Sequence, residues 1–350
     1  MSISILAAKL APASTTDLRA SEGKRPRVGA LDGWRGVAIL LVLVQHFISA
    51  RRPYSTFWGN NLGVTIFFVL SGYLITGNLL RDAESGKTNL LRFYIRRAYR
   101  LWPCAWGYLL FLFVLPGLRA LVWRDALKCV FFARNFVPGM WITEHFWSLS
   151  IEEQFYLVWP AILIFCGRKK AAYVAFAGII AVAIYRGMHW GVWQDKAHFI
   201  RSAATQFRAD ALLMGCLTAI VFFAPPERLK KSKYILICGI SGVLISLTNS
   251  RISPSAEIVS IAAFIVFSLN SSLLGKVLSF KPLTALGRIS YSLYVWQQIF
   301  YVSGSATGHA WILVFAIPTA VFSYLLIEEP FLSRAKGGHL RNEQQLQGAT

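Results

Sequence analysis

Arg35 and His46 lie inside one long apolar run, Leu31-Asp-Gly-Trp-Arg-Gly-Val-Ala-Ile-Leu-Leu-Val-Leu-Val-Gln-His-Phe47. A charged or titratable side chain in a stretch long enough to cross hydrocarbon is costly, and it marks a candidate site. Eleven positions separate the two residues. On an α-helix that spacing returns to within about 20° of the same face and sets them about 16 Å apart along the axis. A guanidinium is a permanent cation that binds anionic groups. An imidazole titrates near neutrality and can act as a general base. Together they suit chemistry that passes a group from one membrane face to the other.

Other residues could join them. Phe146-Trp-Ser-Leu-Ser-Ile-Glu-Glu-Gln-Phe-Tyr156 carries adjacent carboxylates, Glu152 and Glu153, within the first two turns of a predicted helix. Acids there interact favourably with the helix dipole, so simple capping explains them, but one should also face inward, where it could orient His46. Arg208-Ala-Asp210 opens a later apolar run, and Asp210 suits either a substrate hydroxyl or an ion pair with Arg208. Arg92, Arg96 and Arg100 recur every four residues and form one basic stripe, with Arg97 beside it. Guanidinium groups bind phosphates bidentately, so the stripe suits a phosphorylated donor; anchoring to anionic lipid accounts for it equally. Gly63, Ser71 and Gly72 read as small residues at a close helix contact, and Tyr291, Tyr294 and Trp296 as an interface belt or a sugar-stacking surface.

The elements that must position these residues are membrane helices. The chain has 350 residues, 55% hydrophobic and 15% charged, where soluble domains carry about 25% charged residues. Ten apolar segments are expected to span: 33–50, 62–80, 100–118, 146–166, 171–188, 206–223, 233–248, 256–270, 285–303 and 309–328. Residues 122–132 are apolar but interrupted by charges and read as an interfacial or re-entrant helix. The fold class is an all-α polytopic bundle. Of 36 Lys and Arg, 24 fall in the tails and even-numbered connections and 11 in the odd-numbered ones. The positive-inside rule then puts both termini in the cytoplasm, Arg35 near that face and His46 near the other. Residues 1–30 and 332–350 are expected as tails around a transmembrane domain at 31–331. The net charge of +20 sits in short clusters between apolar runs, which argues against nucleic acid. Five cysteines without metal-ligand spacing read as buried apolar residues, and no metal is expected.

The chain resembles the acyltransferase 3 family of integral membrane proteins. The matching pieces run in order: Leu31-Asp-Gly-Trp-Arg-Gly with His46, Phe67-Phe-Val-Leu-Ser-Gly-Tyr-Leu-Ile-Thr76 and Phe93-Tyr-Ile-Arg-Arg-Ala-Tyr-Arg-Leu-Trp-Pro103. Then follow Trp147-Ser-Leu-Ser-Ile-Glu-Glu-Gln-Phe-Tyr156, Arg208-Ala-Asp-Ala-Leu-Leu-Met-Gly215, Gly287-Arg-Ile-Ser-Tyr-Ser-Leu-Tyr294 and Ile327-Glu-Glu-Pro-Phe331. Gln297 departs from the pattern, standing where many members have His. The resemblance implies an O-acyltransferase with His46 as the catalytic imidazole and Arg35 needed with it, and it implies that Arg96, Arg97 and Arg100 help hold an acyl-CoA donor, most often acetyl-CoA. Glu152 is expected to assist His46, and Glu153, Arg208 and Asp210 to meet the acceptor.

The expected reaction is acyl transfer to a hydroxyl of an extracytoplasmic glycan or glycolipid, from the bacterial inner membrane. His46 either acts as base or first carries the acyl group. A proton-coupled transporter or flippase, a small-molecule acceptor, and an assembly partner without activity are the competing readings. The chain runs about twenty residues past the last span, so a second transfer step is expected to need a partner protein.

Overall fold

A computed structural model describes residues 29–51, 61–86, 88–115, 119–195, 199–223, 233–248, 250–300 and 314–334. Among these residues every regular element is a helix: α1 (Gly29–Arg51), α2 (Leu62–Glu84), α3 (Leu90–Val114), α4 (Arg119–Val130), α5 (Phe146–Met188), α6 (Trp190–Gln194), α7 (Phe199–Ser202), α8 (Thr205–Phe222), α9 (Lys233–Ser246), α10 (Ser253–Asn270), α11 (Ser272–Leu278), α12 (Lys281–Trp296) and α13 (Ala316–Ser323). A 3₁₀ turn, Gln297–Phe300, extends α12, and a π turn, Tyr324–Glu328, extends α13. The expected tails fall almost wholly outside the described residues, as does part of the tenth expected span.

Among the described residues, five helical stretches are long and apolar enough to cross a membrane: Gly29–Phe47, Leu62–Glu84, Trp141–Met188, Thr205–Phe222 and Ser253–Asn270. By length and hydropathy alone the expected ten spans are therefore only partly met. α9 is apolar but has 14 residues, α12 has 16, and α3 opens with the arginine stripe. The third stretch is two helices. Gly167, at φ 75° and ψ 166°, is non-helical inside α5, and a positive φ is available to glycine without a Cβ clash. The break falls between the segments expected at 146–166 and 171–188.

The bundle is apolar outside and polar within. Leu157, Phe165, Tyr173 and Met188 turn outward, while Arg134, Arg186, Asp210, Gln297 and Glu328 are buried. That distribution suits a lipid-facing surface around a polar interior. The protein is an integral membrane protein. Cys104, Cys129 and Cys216 are buried as expected, but Cys166 and Cys238 are exposed, because their helix faces point away from the other helices.

Glycines set the closest helix contacts. A Cβ on Gly287 would strike the Asp32 carbonyl, and one on Gly36 the Leu283 carbonyl, so α1 and α12 touch backbone to backbone. The same holds where Gly72 of α2 meets Leu212 of α8. Contacts along each pair rise together in residue number: Asp32 with Gly287 and His46 with Gln297, or Phe68 with Trp147 and Thr76 with Trp159. Thus α1 runs parallel to α12, and α2 parallel to the first half of α5. α3 also runs parallel to α12, Leu101 meeting Tyr291 and Tyr108 meeting Trp296.

Candidate active site

The α1–α12 contact places both ends of the Arg35–His46 face. Arg35 Nη2 donates to Ser290 Oγ at 3.1 Å, and seven residues further along the same partner His46 Nδ1 lies 2.6 Å from Gln297 Oε1. The imidazole also meets the Trp141 ring edge-on, with centroids 6.3 Å apart. His145 faces it electrostatically. His145 is itself buried beneath Tyr108, Phe146 and Tyr294. Its carbonyl accepts from the Tyr294 hydroxyl at 3.0 Å, and Tyr294 pairs with Ser148 at 2.6 Å. The unpartnered buried polar atoms include both His145 ring nitrogens, Gln297 Nε2 and Gln298 Oε1. Buried polar groups almost always have partners, so their gathering beside His46 is unusual.

At the other level of α1 lies a cluster of opposite charges. Arg100 interacts with Arg35, Arg97 and Glu328, and Glu152 with Arg97 and Arg35. Arg97 stacks on the Tyr156 ring at 3.7 Å, its Nε buried and unpartnered. Ser71 donates to Glu152 at 2.9 Å and Trp102 to Glu153 at 3.1 Å, while Ser292 donates to Glu328 at 3.0 Å. Three guanidinium groups therefore meet three carboxylates. Arg96 of the stripe turns away to Asp82 at 3.5 Å.

Glu152 was expected to orient His46, and the structure gives the Nδ1 contact to Gln297 instead. The reason is depth. Gln45 donates to Asn61 at 2.9 Å, which sets the start of α2 level with His46. Ser71, the partner of Glu152, is ten residues on, about 15 Å further along the helix and level with Arg35.

Of the three acceptor candidates, Glu153 lies with the arginines, beside Trp102 and Arg97, and Arg208 and Asp210 lie on the far side of α2. Asp210 pairs with Arg186 at 2.7 Å, and Arg208 is a second cation within electrostatic reach of it. Arg186 also donates to the Phe207 carbonyl at 3.0 Å and to Ser255 at 2.8 Å. Arg208 donates to the Ser202 carbonyl and stacks on Trp193 at 4.2 Å. Asp210, Arg186, Arg208, Phe207 and Trp193 line a small cleft together with Thr65, Phe68 and Glu257. Sequence reasoning did not select Arg186 or His145. Arg186 sits near the end of an apolar run without a motif, and His145 immediately precedes one.

Both ends of the α1 face fall inside one family match. The model of an acyltransferase domain matches residues 28–328. The chain belongs to the acyltransferase 3 family. Among similar members of known name, the O-acetyltransferase OatA of Staphylococcus aureus (strain NCTC 8325 / PS 47) is 30% identical over 363 aligned residues, covering 88% of this chain and 57% of that protein. The peptidoglycan O-acetyltransferase OatA of Listeria monocytogenes serovar 1/2a is 30% identical over 326 residues, 80% of this chain and 50% of that protein. A putative O-acetyltransferase of Staphylococcus aureus (strain COL) is 29% identical, covering 87% and 57%. This acyltransferase 3 chain spans between half and three-fifths of the length of these curated relatives. No solved structure matches it.

Proposed function

We propose that the protein is a membrane O-acetyltransferase that moves an acetyl group from cytoplasmic acetyl-CoA to a hydroxyl of an extracytoplasmic glycan or glycolipid. The observation that carries this reading is the α1 face, with an imidazole held at Nδ1 by Gln297 at one level and a half-buried guanidinium cluster at the other. The names of the relatives from Staphylococcus and Listeria supply the acetyl group and, for Listeria, a peptidoglycan acceptor.

In this reading ten spans cross the bacterial inner membrane, with both termini cytoplasmic. The parallel packing of α1 with α12, and of α2 with the first half of α5, supports it, since an odd number of intervening crossings must separate parallel spans. Arg92 and Arg96 stand at the cytoplasmic edge for the donor's phosphates, Arg96 in a half-buried contact with Asp82 at 3.5 Å. Arg97, with an unpartnered Nε, and Arg100 and Arg35 stand deeper, towards the thioester. Glu152 and Glu153 hold these arginines in place. Arg208, Asp210 and Trp193 form the acceptor side.

His46 Nε2 takes the proton from the acceptor hydroxyl as its oxygen attacks the thioester carbonyl. The new C–O bond forms, the C–S bond breaks, and the imidazolium returns the proton to the leaving thiolate. Imidazole is regenerated, with an O-acetyl ester and free CoA as products. General-base action of this kind contributes about 10²–10⁴-fold. Proteoliposomes given labelled acetyl-CoA and a soluble glycan acceptor should acetylate the acceptor, and His46→Ala should lower the rate by that factor. Full activity in His46→Ala would overturn the assignment, and flux of the glycan without CoA turnover would favour transport.

A further inference from the structure

Gln297 is fully buried directly after the last turn of α12, and its carboxamide oxygen lies 2.6 Å from His46 Nδ1. An amide oxygen has no hydrogen to give, so Nδ1 carries the proton and Nε2 carries the lone pair. The amide nitrogen has no partner, although an unsatisfied buried donor costs about 1–3 kcal/mol. A glutamine kept only for packing would pair at both ends; this one pairs only with the imidazole. Its backbone is fixed from several sides. The Gln297 N–H caps α12 onto the Leu293 carbonyl, the next residue donates to the Trp141 carbonyl at 3.0 Å, and Trp296 donates to Ser323 at 2.8 Å.

We propose that Gln297 is the positioning residue of His46: its oxygen holds the imidazole in the tautomer that presents Nε2 as the base. The inference rests on the reading of His46 given above. The work done in many triads by a carboxylate is done here by a neutral amide. His145, just before α5, is a titratable group in electrostatic interaction with His46, with Arg134 behind it. α12 adds the Tyr294 hydroxyl, held by Ser148, and Arg35 of α1 itself is about 16 Å away along the helix.

Two variants test this in proteoliposomes with labelled acetyl-CoA, each checked for folding by its thermal midpoint in detergent. Gln297→Met keeps length and volume but removes the acceptor atom. It should lower kcat by about 10²-fold or more with KM for acetyl-CoA unchanged. Gln297→Glu keeps an acceptor and adds a negative charge beside the imidazole. It should retain activity, with the acidic limb of the kcat/KM profile moved up by at least one pH unit, because a neighbouring carboxylate favours the imidazolium. Wild-type kcat in Gln297→Met, or an unmoved limb in Gln297→Glu, overturns the proposal while an inactive His46→Ala leaves the wider reading standing. Full activity in all three variants removes both. If one variant fails to fold, the other decides.

Discussion

At the scale of single residues, the protein handles buried charge in two ways. Around Arg35, three arginines and three glutamates gather within electrostatic reach of one another. Around Asp210 the contact is a direct one with Arg186, both side chains almost fully buried at 2.7 Å, with Arg208 close by. Removing one partner of a buried pair typically costs about 3–5 kcal/mol, because the other charge is stranded, whereas replacing both by apolar residues can be neutral. Asp210→Leu alone should therefore lower the thermal midpoint sharply, and Arg186→Met with Asp210→Leu should recover much of it. If the double variant is as unstable as the single one, the pair is not what the cleft depends on. Arg35, His46, Glu152 and Asp210 were legible from the sequence because ionisable residues stand out in apolar runs. Their partners were not. Ser290 and Gln297 are 255 and 251 residues away along the chain from theirs, and no local pattern joins them.

At the scale of elements, the site depends on how closely α1 lies against α12. Gly287→Ala would push a methyl into the Asp32 carbonyl. Overpacking of this kind costs about 1–3 kcal/mol, and it should separate Arg35 from Ser290 and His46 from Gln297 together. The expected result is lower stability with loss of acetyl transfer. Gly187→Ala, where a Cβ meets nothing within 4 Å, should leave both unchanged, and equal effects at the two glycines would refute the argument. The segment from α4 to Thr143 is held differently, by Asp125. Burial alone would raise its carboxyl, but the Met140 N–H, Lys128 at 3.0 Å and Thr143 at 3.0 Å hold it below the ordinary aspartate value. A carboxyl held low in the folded state stabilises at pH above its unfolded value, about 3.9, and that contribution is lost as the pH falls through the folded value. Asp125→Asn should thus melt below wild type at pH 7, the two converging as the pH falls below the folded-state value of Asp125. A gap that stays constant with pH would show that the charge is not involved.

At the scale of the whole molecule, the parallel helix pairs tie the chain to one topology. Ser85 follows α2 and Ser250 lies between α9 and α10, so ten spans with cytoplasmic termini put them on opposite faces. In a chain with the exposed Cys166 and Cys238 replaced by serine, Ser250→Cys should react in intact cells with a membrane-impermeant maleimide. Ser85→Cys should react only after permeabilisation. Labelling of both from the same side would exclude the topology and, with it, transfer from inside to outside along α1.

The sequence by itself determined that the chain is a helical membrane protein, which family it resembles, and that Arg35 and His46 share a helix face. Those properties are local: apolar length, charge placement and an eleven-residue spacing are all read along one segment. Only the tertiary structure decided who meets whom. It gave the Nδ1 of His46 to Gln297 and set Arg186 directly against Asp210. Those choices depend on the depth at which one helix crosses another. Here depth is set by backbone contacts at Gly36, Gly72 and Gly287, whose partners lie far away in the chain.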